Sequence, residues 1–165
     1  MRRCQSSRPF RIPMKAMDKE FELLTSKNTG TLVPPPSTDK VIGGMWQLVQ
    51  KKNKFGNILK YKARWVCFGN HQEHMVNYYN TYTSVARSES FKILLSLMVN
   101  RKYTAYQFYV ETAFRYGEMD AANYISQVRN YKVPRKENWV WKLNKSLYGT
   151  KQAPRQWKAH LVSTI

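Results

Sequence analysis

Acidic residues are scarce in this sequence. Its 165 residues include 10 Asp and Glu against 28 Lys and Arg, which gives a formal net charge of +18 at pH 7. Residues 1–60 and 121–165 each carry a net charge of +8, while residues 61–120 are nearly balanced. This charge favours polyanionic partners, nucleic acid before membrane, because no basic amphipathic helix of the lipid-binding type is evident. A surface that merely aids solubility is the alternative.

Cysteine and long apolar runs are also lacking. Cys4 and Cys67 are too few for a disulfide framework, which favours a reducing, intracellular compartment, either cytoplasm or nucleus. The longest apolar run, ILLSLMV at residues 93–99, is far shorter than the roughly 20 residues of a membrane span. The opening MRRCQSSRPFRIPMK has no acid, as in a mitochondrial transit peptide or a flexible basic tail. We expect a basic disordered tail over residues 1–14.

Hydrophobic periodicity predicts an α+β domain. The apolar fraction of 42% and the aromatic share of 14% supply a core. Predicted helices cover residues 15–27, 88–100 (capped by Ser88 or Ser90) and 154 onward. Predicted strands cover residues 45–52, 58–68, 103–110, 123–128 and 139–149, with the first two forming a hairpin. The last helix is unfinished at Ile165, so we expect the chain to be part of a longer domain.

The predicted strand KYKARW places two unlike rows of side chains on its two faces. Lys60, Lys62 and Arg64 point one way, and the residues between them, Tyr61, Ala63 and Trp65, point the other. A basic row backed by an apolar row suits a strand that packs on a core and presents cations to phosphate. An ordinary solvated strand face would show the same pattern.

Other motifs exclude several enzyme classes. No Gly-x-Ser-x-Gly elbow and no Walker-type phosphate loop occur in the sequence. The enzyme classes that are not excluded are those that rely on carboxylates and metal ions. The segment CFGNHQEH offers Cys67, His71, Glu73 and His74, but a zinc site needs further ligands and a polar loop is the better interpretation. The segment SLYGTKQAPRQW joins a strand to a helix through a cationic loop, which suits anion binding or a plain connector.

Six segments in series resemble the reverse transcriptase of copia-type retrotransposons. They are KAMDKEFELL, VIGGMWQL, KYKARWVCFGNHQ, SFKILLSLMV, QFYVETAFRYGEMD and SLYGTKQAPRQW. They occur in the family's order and cover residues 15–165. The resemblance implies the N-terminal part of such a domain, the fingers and partial palm of a right-hand polymerase, incomplete in this chain.

The resemblance also implies roles for particular residues. Lys62 and Arg64 would hold the triphosphate of an incoming nucleotide. Phe114 would be the aromatic gate under the sugar that excludes a 2′-hydroxyl. Tyr148, Gly149 and Lys151 would belong to the loop that packs against the templating base pair and the nucleotide.

The sequence departs from the family at its first metal-binding position. The family pattern is Asp-Val-x-Thr-Ala-Phe, and here Tyr109 occupies the position of the aspartate. Tyrosine, with a pKa near 10, is a poor ligand for Mg²⁺ at pH 7. Glu111 is a weak substitute because it lies about 7 Å along the strand. Glu118 and Asp120 are interpreted as turn acids.

These departures predict a catalytically inactive chain. The family's second acidic element, Tyr-x-Asp-Asp, does not occur in the 165 residues. We therefore expect no intact catalytic residues, no metal site and no cofactor, although the intact family uses Mg²⁺. The expected partner is nucleic acid, either an RNA–DNA hybrid or a single strand, with at most weak binding of nucleotides. The alternatives are a nucleic-acid-binding module in its own right and an expressed fragment without function.

Overall fold

The computed structural model describes residues 14–165, so the predicted basic tail lies outside the described residues except for Met14. Within residues 14–165 three α-helices and six β-strands form. The helices are α1 (Met14–Ser26), α2 (Ser88–Arg101) and α3 (Ala153–Thr164). The strands are β1 (Gly30–Val33), β2 (Val41–Ile42), β3 (Gly44–Lys52), β4 (Ile58–Cys67), β5 (Tyr124–Ser126) and β6 (Val140–Leu143). The predicted α+β class is confirmed.

Four short strands form a mixed sheet in the order β1-β6-β5-β2. Strand β6 pairs antiparallel with both β1 and β5, and β5 pairs parallel with β2. Strand β1 ends at Val33, and three prolines follow. Because proline has no N–H to donate to a ladder, the sheet cannot continue through them. The sequence patterns did not predict β1 or β2, which are too short to show alternation.

The predicted hairpin is confirmed as a separate antiparallel pair of β3 and β4. Trp46 lies opposite Trp65 in its register. The turn is closed by Asn53, whose side-chain oxygen accepts the N–H groups of Phe55 and Asn57 at 2.9 and 3.0 Å. Such Asx hydrogen bonds stabilise tight turns. The predicted division of β4 into two faces is also confirmed, since Ala63 and Trp65 are buried.

The hairpin and the sheet share one hydrophobic core. Its buried members are Leu24, Ile42, Trp65, Cys67, Ile125, Val128, Trp141, Leu143 and Leu147. The N–H of Cys67 donates to the carbonyl oxygen of Tyr148 at 2.8 Å, which joins the end of β4 to the loop before α3. Gly149 follows with φ of +92° and lies directly against the backbone of Cys67. The basic strand is therefore fixed to the core at its C-terminal end.

One strand prediction in the middle of the chain was wrong. Residues 103–110 were predicted as a strand, but they form no regular structure, and their side chains are exposed. Strand-forming residues stay unpaired here because no neighbouring strand among residues 14–165 supplies the ladder hydrogen bonds.

Helix α2 forms where it was predicted, but its cap and its contacts differ from the expectation. Its N-cap is Arg87, with no side-chain capping bond, rather than Ser88 or Ser90. None of its side chains is buried, so the apolar stripe that includes Phe91, Leu94 and Leu95 faces solvent. A helical apolar stripe predicts a packing face but does not identify its partner.

The joint between β4 and the loop before α3 can be tested at Gly149. A β-carbon at Gly149 would lie 2.1 Å from the carbonyl oxygen of Cys67, so Gly149→Ala forces backbone atoms apart. Gly56 is a matched control, since its φ is +84° and nothing lies within 4 Å of its added β-carbon. We expect Gly56→Ala to cost about 1–2 kcal/mol of unfolding free energy, from backbone strain alone. Gly149→Ala should cost roughly 3 kcal/mol or more.

Urea denaturation of the two variants measures this difference. Equal losses in both variants would contradict a steric joint at Gly149.

Candidate nucleic-acid interface

A cleft of about 120 Å³ opens between α1, β4 and the segment that precedes Phe114. The residues that determine its chemistry are Lys19, Glu20, Lys60, Lys62, Arg64, Tyr109, Glu111 and Tyr148. Alternation along β4 places its basic row on one face, and Trp65 on the other face anchors the strand in the protein. Tyr61 and Ala63 from that other face also reach the lining. Four of these lining residues are cationic and two are acidic, so the cleft is suited to an anionic ligand.

Lys62 lies at the centre of the basic row. Its partial burial and the neighbouring charges of Arg64, Lys51 and Lys60 lower its pKa from the ordinary value. Burial first, and the cations beside it second, therefore disfavour the charged form of Lys62 when no anion is bound. A phosphate group in the cleft would relieve that repulsion, because each cation would gain a partner of opposite charge.

The base of the cleft is held by a buried ion pair. Glu20 in α1 accepts hydrogen bonds from the Arg115 side chain and, at 3.2 Å, from the Trp65 N–H in β4. Arg115 is fully buried, and its Nε and Nη1 have no hydrogen-bond partner among residues 14–165. Burial raises the pKa of Glu20, while Arg115 and the Trp65 N–H oppose the rise. Glu20 therefore connects α1, β4 and the short helical turn Ala113–Tyr116.

Arg64 and Tyr148 of the lining form an aromatic wall with Phe114, which contacts Tyr148 from outside the lining. The Arg64 guanidinium lies over the Tyr148 ring at 5.2 Å, and Phe114 meets the same ring edge-on at 5.3 Å. Cation–π and edge-to-face contacts of this kind fix a planar side chain in place. The structure thus brings together Arg64, Phe114 and Tyr148, which are far apart in the sequence but share a predicted site.

Tyr109 and Glu111 line the cleft, but they do not make a metal site. Tyr109 is 78% exposed and offers a phenol where a hard cation requires a carboxylate. Of the two acids in the lining, Glu20 is already bound to Arg115. Within residues 14–165 no group of three or more His, Cys, Asp or Glu side chains could hold a metal ion. The residues present do not fit the Mg²⁺ pair of the intact family.

Gly149 and Lys151 both make contacts within the protein. Gly149 approaches the backbone of β4 rather than open space. The Lys151 ammonium donates to the Gln72 carbonyl at 3.3 Å and to the Tyr78 hydroxyl at 3.2 Å, and it lies over the Tyr78 ring. Its backbone N–H donates to the Gln72 side chain at 2.8 Å. Lys151 is therefore outside the cleft lining and secures the loop that contains Gln72 and Tyr78.

Four buried amide side chains complete that loop. Gln72 donates to Asn123 at 2.8 Å and to Gln152 at 3.0 Å, and Asn123 and Gln152 both donate to the carbonyl oxygen of Asn77. A buried polar network with its groups satisfied favours a single conformation of the loop. Because Lys151 and Gln152 bond to Gln72 and Asn77, this network also holds the Gly149–Gln152 segment in place.

The remaining candidates have other environments. Burial raises the pKa of Cys67 to about 12, so this thiol is protonated at neutral pH and suits the core rather than a metal. The carboxylate of Asp120 pairs with Arg155 at 3.3 Å. The backbone of Glu118 forms an isolated antiparallel β-bridge with that of Lys145. The interpretation of Glu118 and Asp120 as turn acids stays a prediction.

Glu20 and Arg115 are the site residues that the sequence interpretation missed. Glu20 lies on the same helical face as Met17 and Leu24, three residues after one and four before the other, and an acid on an apolar face signals a buried partner. The identity of that partner could not be inferred, because Arg115 is 95 residues away in the sequence.

Comparison with known proteins identifies the class of this α+β domain. A family model described as "Reverse transcriptase (RNA-dependent DNA polymerase)" matches residues 27–165. The chain is 36% identical over 144 residues to the "Retrovirus-related Pol polyprotein from transposon TNT 1-94" of Nicotiana tabacum, covering 87% of this chain and 11% of the relative. It is 36% identical over 147 residues to the corresponding polyprotein from transposon RE1 of Arabidopsis thaliana, covering 88% and 10%.

The chain belongs to the reverse transcriptase family, and the resemblance to copia-type elements is confirmed. It spans about a tenth of the length of these relatives. No solved structure gives a significant match. Separately, no helix within residues 14–165 has the length and apolarity needed to cross a membrane.

The ion pair under the cleft makes a prediction about stability and pH. Glu20→Gln leaves a buried guanidinium without its carboxylate partner, so we expect a loss of about 3–5 kcal/mol in unfolding free energy at every pH tested. Arg115→Met should cost a similar amount at pH 7. Its penalty should shrink as the pH is lowered from 7, because Glu20, whose pKa burial raises, can then take up a proton.

The direction of this pH dependence follows from the raised pKa of Glu20. Stability tied to protonating this carboxyl is present at low pH and is lost as the pH rises through the pKa in the folded protein. Urea denaturation of both variants across this range measures the effect. If the unfolding free energies of the two variants depended on pH in the same way, the buried pairing of Glu20 with Arg115 would be contradicted.

Proposed function

We propose that this chain is a degenerate portion of a retrotransposon reverse transcriptase that binds nucleic acid and does not polymerise it. Residues 15–165 would correspond to the fingers and part of the palm, with the β3–β4 hairpin in the fingers. The observation that carries the proposal is the composition of the cleft, in which the basic row of β4 faces Tyr109. The cleft retains groups for holding phosphate and lacks groups for holding metal.

The loss of catalysis follows from the chemistry of nucleotide addition. Two metal ions about 4 Å apart stabilise the attacking and leaving oxygens, and carboxylates must hold them. Tyr109 supplies no charge, and Glu20 is committed to Arg115. Glu111 alone would have to hold both ions from a displaced position, where an error of ~1 Å can reduce the rate about 100-fold.

Nucleic-acid binding follows from the charges that remain. Lys60, Lys62 and Arg64 are spaced along β4 at about 7 Å intervals, comparable to the distance between successive phosphates of an extended strand. The ligand would be an RNA–DNA hybrid or a single strand, bound mainly through phosphate and released by salt. The wall made by Arg64, Phe114 and Tyr148 would also accept a nucleotide weakly.

A second candidate, an expressed fragment without specific function, is favoured by a different observation. Helix α2 exposes Phe91, Ile93, Leu94 and Leu97 to solvent, and contiguous apolar surface of this kind marks a missing neighbour or a site prone to association. A chain that binds nucleic acid no better than an unfolded polycation of equal charge would support this candidate.

The proposal predicts no polymerase activity. The purified chain should not extend a DNA primer on an RNA template in the presence of Mg²⁺, under conditions in which an active reverse transcriptase does. Extension that is abolished by Glu111→Gln would contradict the proposal, because it would show that Glu111 has taken over the metal site.

The proposal also predicts which cations bind phosphate. Lys60→Gln combined with Lys62→Gln should weaken binding to an RNA–DNA hybrid and reduce the slope of log K against log salt by about 0.9 for each phosphate that is no longer neutralised. Lys132→Gln combined with Lys142→Gln removes the same charge from exposed positions outside the cleft and is the matched control. Equal effects in the two pairs, measured by fluorescence anisotropy, would contradict a specific role for β4.

A further inference from the structure

The tip of the β3–β4 hairpin presents apolar side chains to solvent. Within this hairpin tip, residues 51–59, Phe55 is 75%, Leu59 69% and Ile58 46% exposed. The two strands pair with each other up to the turn, and Asn53 closes the turn through hydrogen bonds to its neighbours. The apolar side chains of the tip are therefore exposed although its strands are paired and its turn is closed.

Every charge at the hairpin tip is positive. Lys51, Lys52 and Lys54 lie within it, and the sequence from Lys40 to Gln72 contains no Asp or Glu. None of the three lysines forms a salt bridge within the described part of the chain. Cations without acidic partners attract an anionic surface that lies against them. The hairpin tip therefore suits a partner that is anionic and also takes up apolar side chains.

The directions of the apolar side chains restrict how a partner can approach. Ile58 and Leu59 are neighbours in β4, so they point to opposite faces of the hairpin. A partner laid along one face would leave one of them exposed to water. A partner that meets the hairpin end-on covers both of them together with Phe55.

A bilayer with anionic headgroups meets these requirements. Peripheral proteins bury apolar side chains about 5–10 Å deep at the boundary of headgroups and acyl chains, and anionic lipids attract nearby lysines. Lys51 lies about 3.3 Å of strand behind Leu59, since it pairs with Lys60. It would therefore reach the headgroups when Leu59 reaches the acyl boundary. Nucleic acid fits the tip less well, since Ile58 and Leu59 offer a base neither an aromatic stacking face nor a hydrogen bond.

We propose that the hairpin tip binds an anionic lipid surface end-on, with Phe55, Ile58 and Leu59 at the acyl boundary and the three lysines among the headgroups. The sequence has no basic amphipathic helix, but the turn brings cations and apolar side chains together in the folded hairpin. This site goes beyond the proposed function, because none of its lysines lines the cleft.

Co-sedimentation of the chain with large vesicles tests this site. The chain should bind phosphatidylcholine vesicles that contain about one-third phosphatidylserine, less strongly as salt is added, and should bind pure phosphatidylcholine vesicles far more weakly. The variant Phe55→Ser/Leu59→Ser should lower the partition coefficient about tenfold or more, because two apolar side chains no longer leave water on binding. Lys51→Gln/Lys52→Gln/Lys54→Gln should lower it roughly tenfold or more at low salt and should weaken its salt dependence.

Helix α2 supplies the matched control. Leu94→Ser/Leu97→Ser removes two exposed apolar side chains from a helix whose charges, on Glu89, Lys92 and Arg101, nearly balance. This variant should bind vesicles as tightly as the unchanged chain, and a loss of binding here instead of in the tip variants would overturn the proposal. Because the tip side chains are exposed, both tip variants should keep the urea midpoint of the unchanged chain, so a loss of binding is not a loss of fold.

The other outcomes are equally decisive. Vesicle binding that persists in Phe55→Ser/Leu59→Ser would mean adsorption by charge alone, and no binding of the unchanged chain to anionic vesicles would exclude a lipid partner. If the same variant lost affinity for an RNA–DNA hybrid but not for vesicles, the tip would belong to nucleic acid instead. Self-association in sedimentation velocity that this variant abolishes would assign the tip to a second copy. A failure of the lipid site leaves the proposed function intact, because that function is tested on Lys60 and Lys62 with the hybrid.

Discussion

The arrangement of the cleft depends on one buried carboxylate. Glu20 projects from α1, accepts the N–H of Trp65 in β4 and pairs with Arg115 beside Phe114. Because one carboxylate contacts three elements, the helix, the basic strand and the aromatic wall are fixed relative to one another. Its pKa is raised by burial, so the pair is costly to form and more costly to leave half made. Such a pair specifies geometry more than it adds stability.

The same geometry underlies our proposal that the site has lost metal binding and kept phosphate binding. Metal binding requires several carboxylates at fixed distances, and we propose that a single replacement such as Tyr109 is enough to abolish it. Phosphate binding by lysine and arginine tolerates such a change, because it depends on a field summed over several cations. Removing an acid from a cationic cleft even strengthens that field. The basic row of β4 is thus suited to a polyanion without a metal ion.

The sequence predicted those parts of the structure that depend on local pattern. The alternation in KYKARW was sufficient for the two faces of β4, since Trp65 could only point inward if Arg64 pointed outward. Residues 103–110 were predicted wrongly because strand propensity describes the residue and not the neighbour that it needs. The pairing of Glu20 with Arg115 and the contacts of Lys151 were beyond prediction, since they join residues 73–95 positions apart. The family resemblance brought Arg64, Phe114 and Tyr148 together, where periodicity could not.

The central claim is that the cleft binds a polyanion through side chains alone. The most direct measurement is the affinity of the chain for oligo(dT) at one fixed ionic strength, first with EDTA and then with Mg²⁺. The account predicts binding in EDTA that is as tight as, or tighter than, binding in Mg²⁺, since the cation competes with Lys62 and Arg64 for phosphate. Binding that requires Mg²⁺ would contradict it, because a metal would then be held by residues that we assign no such role.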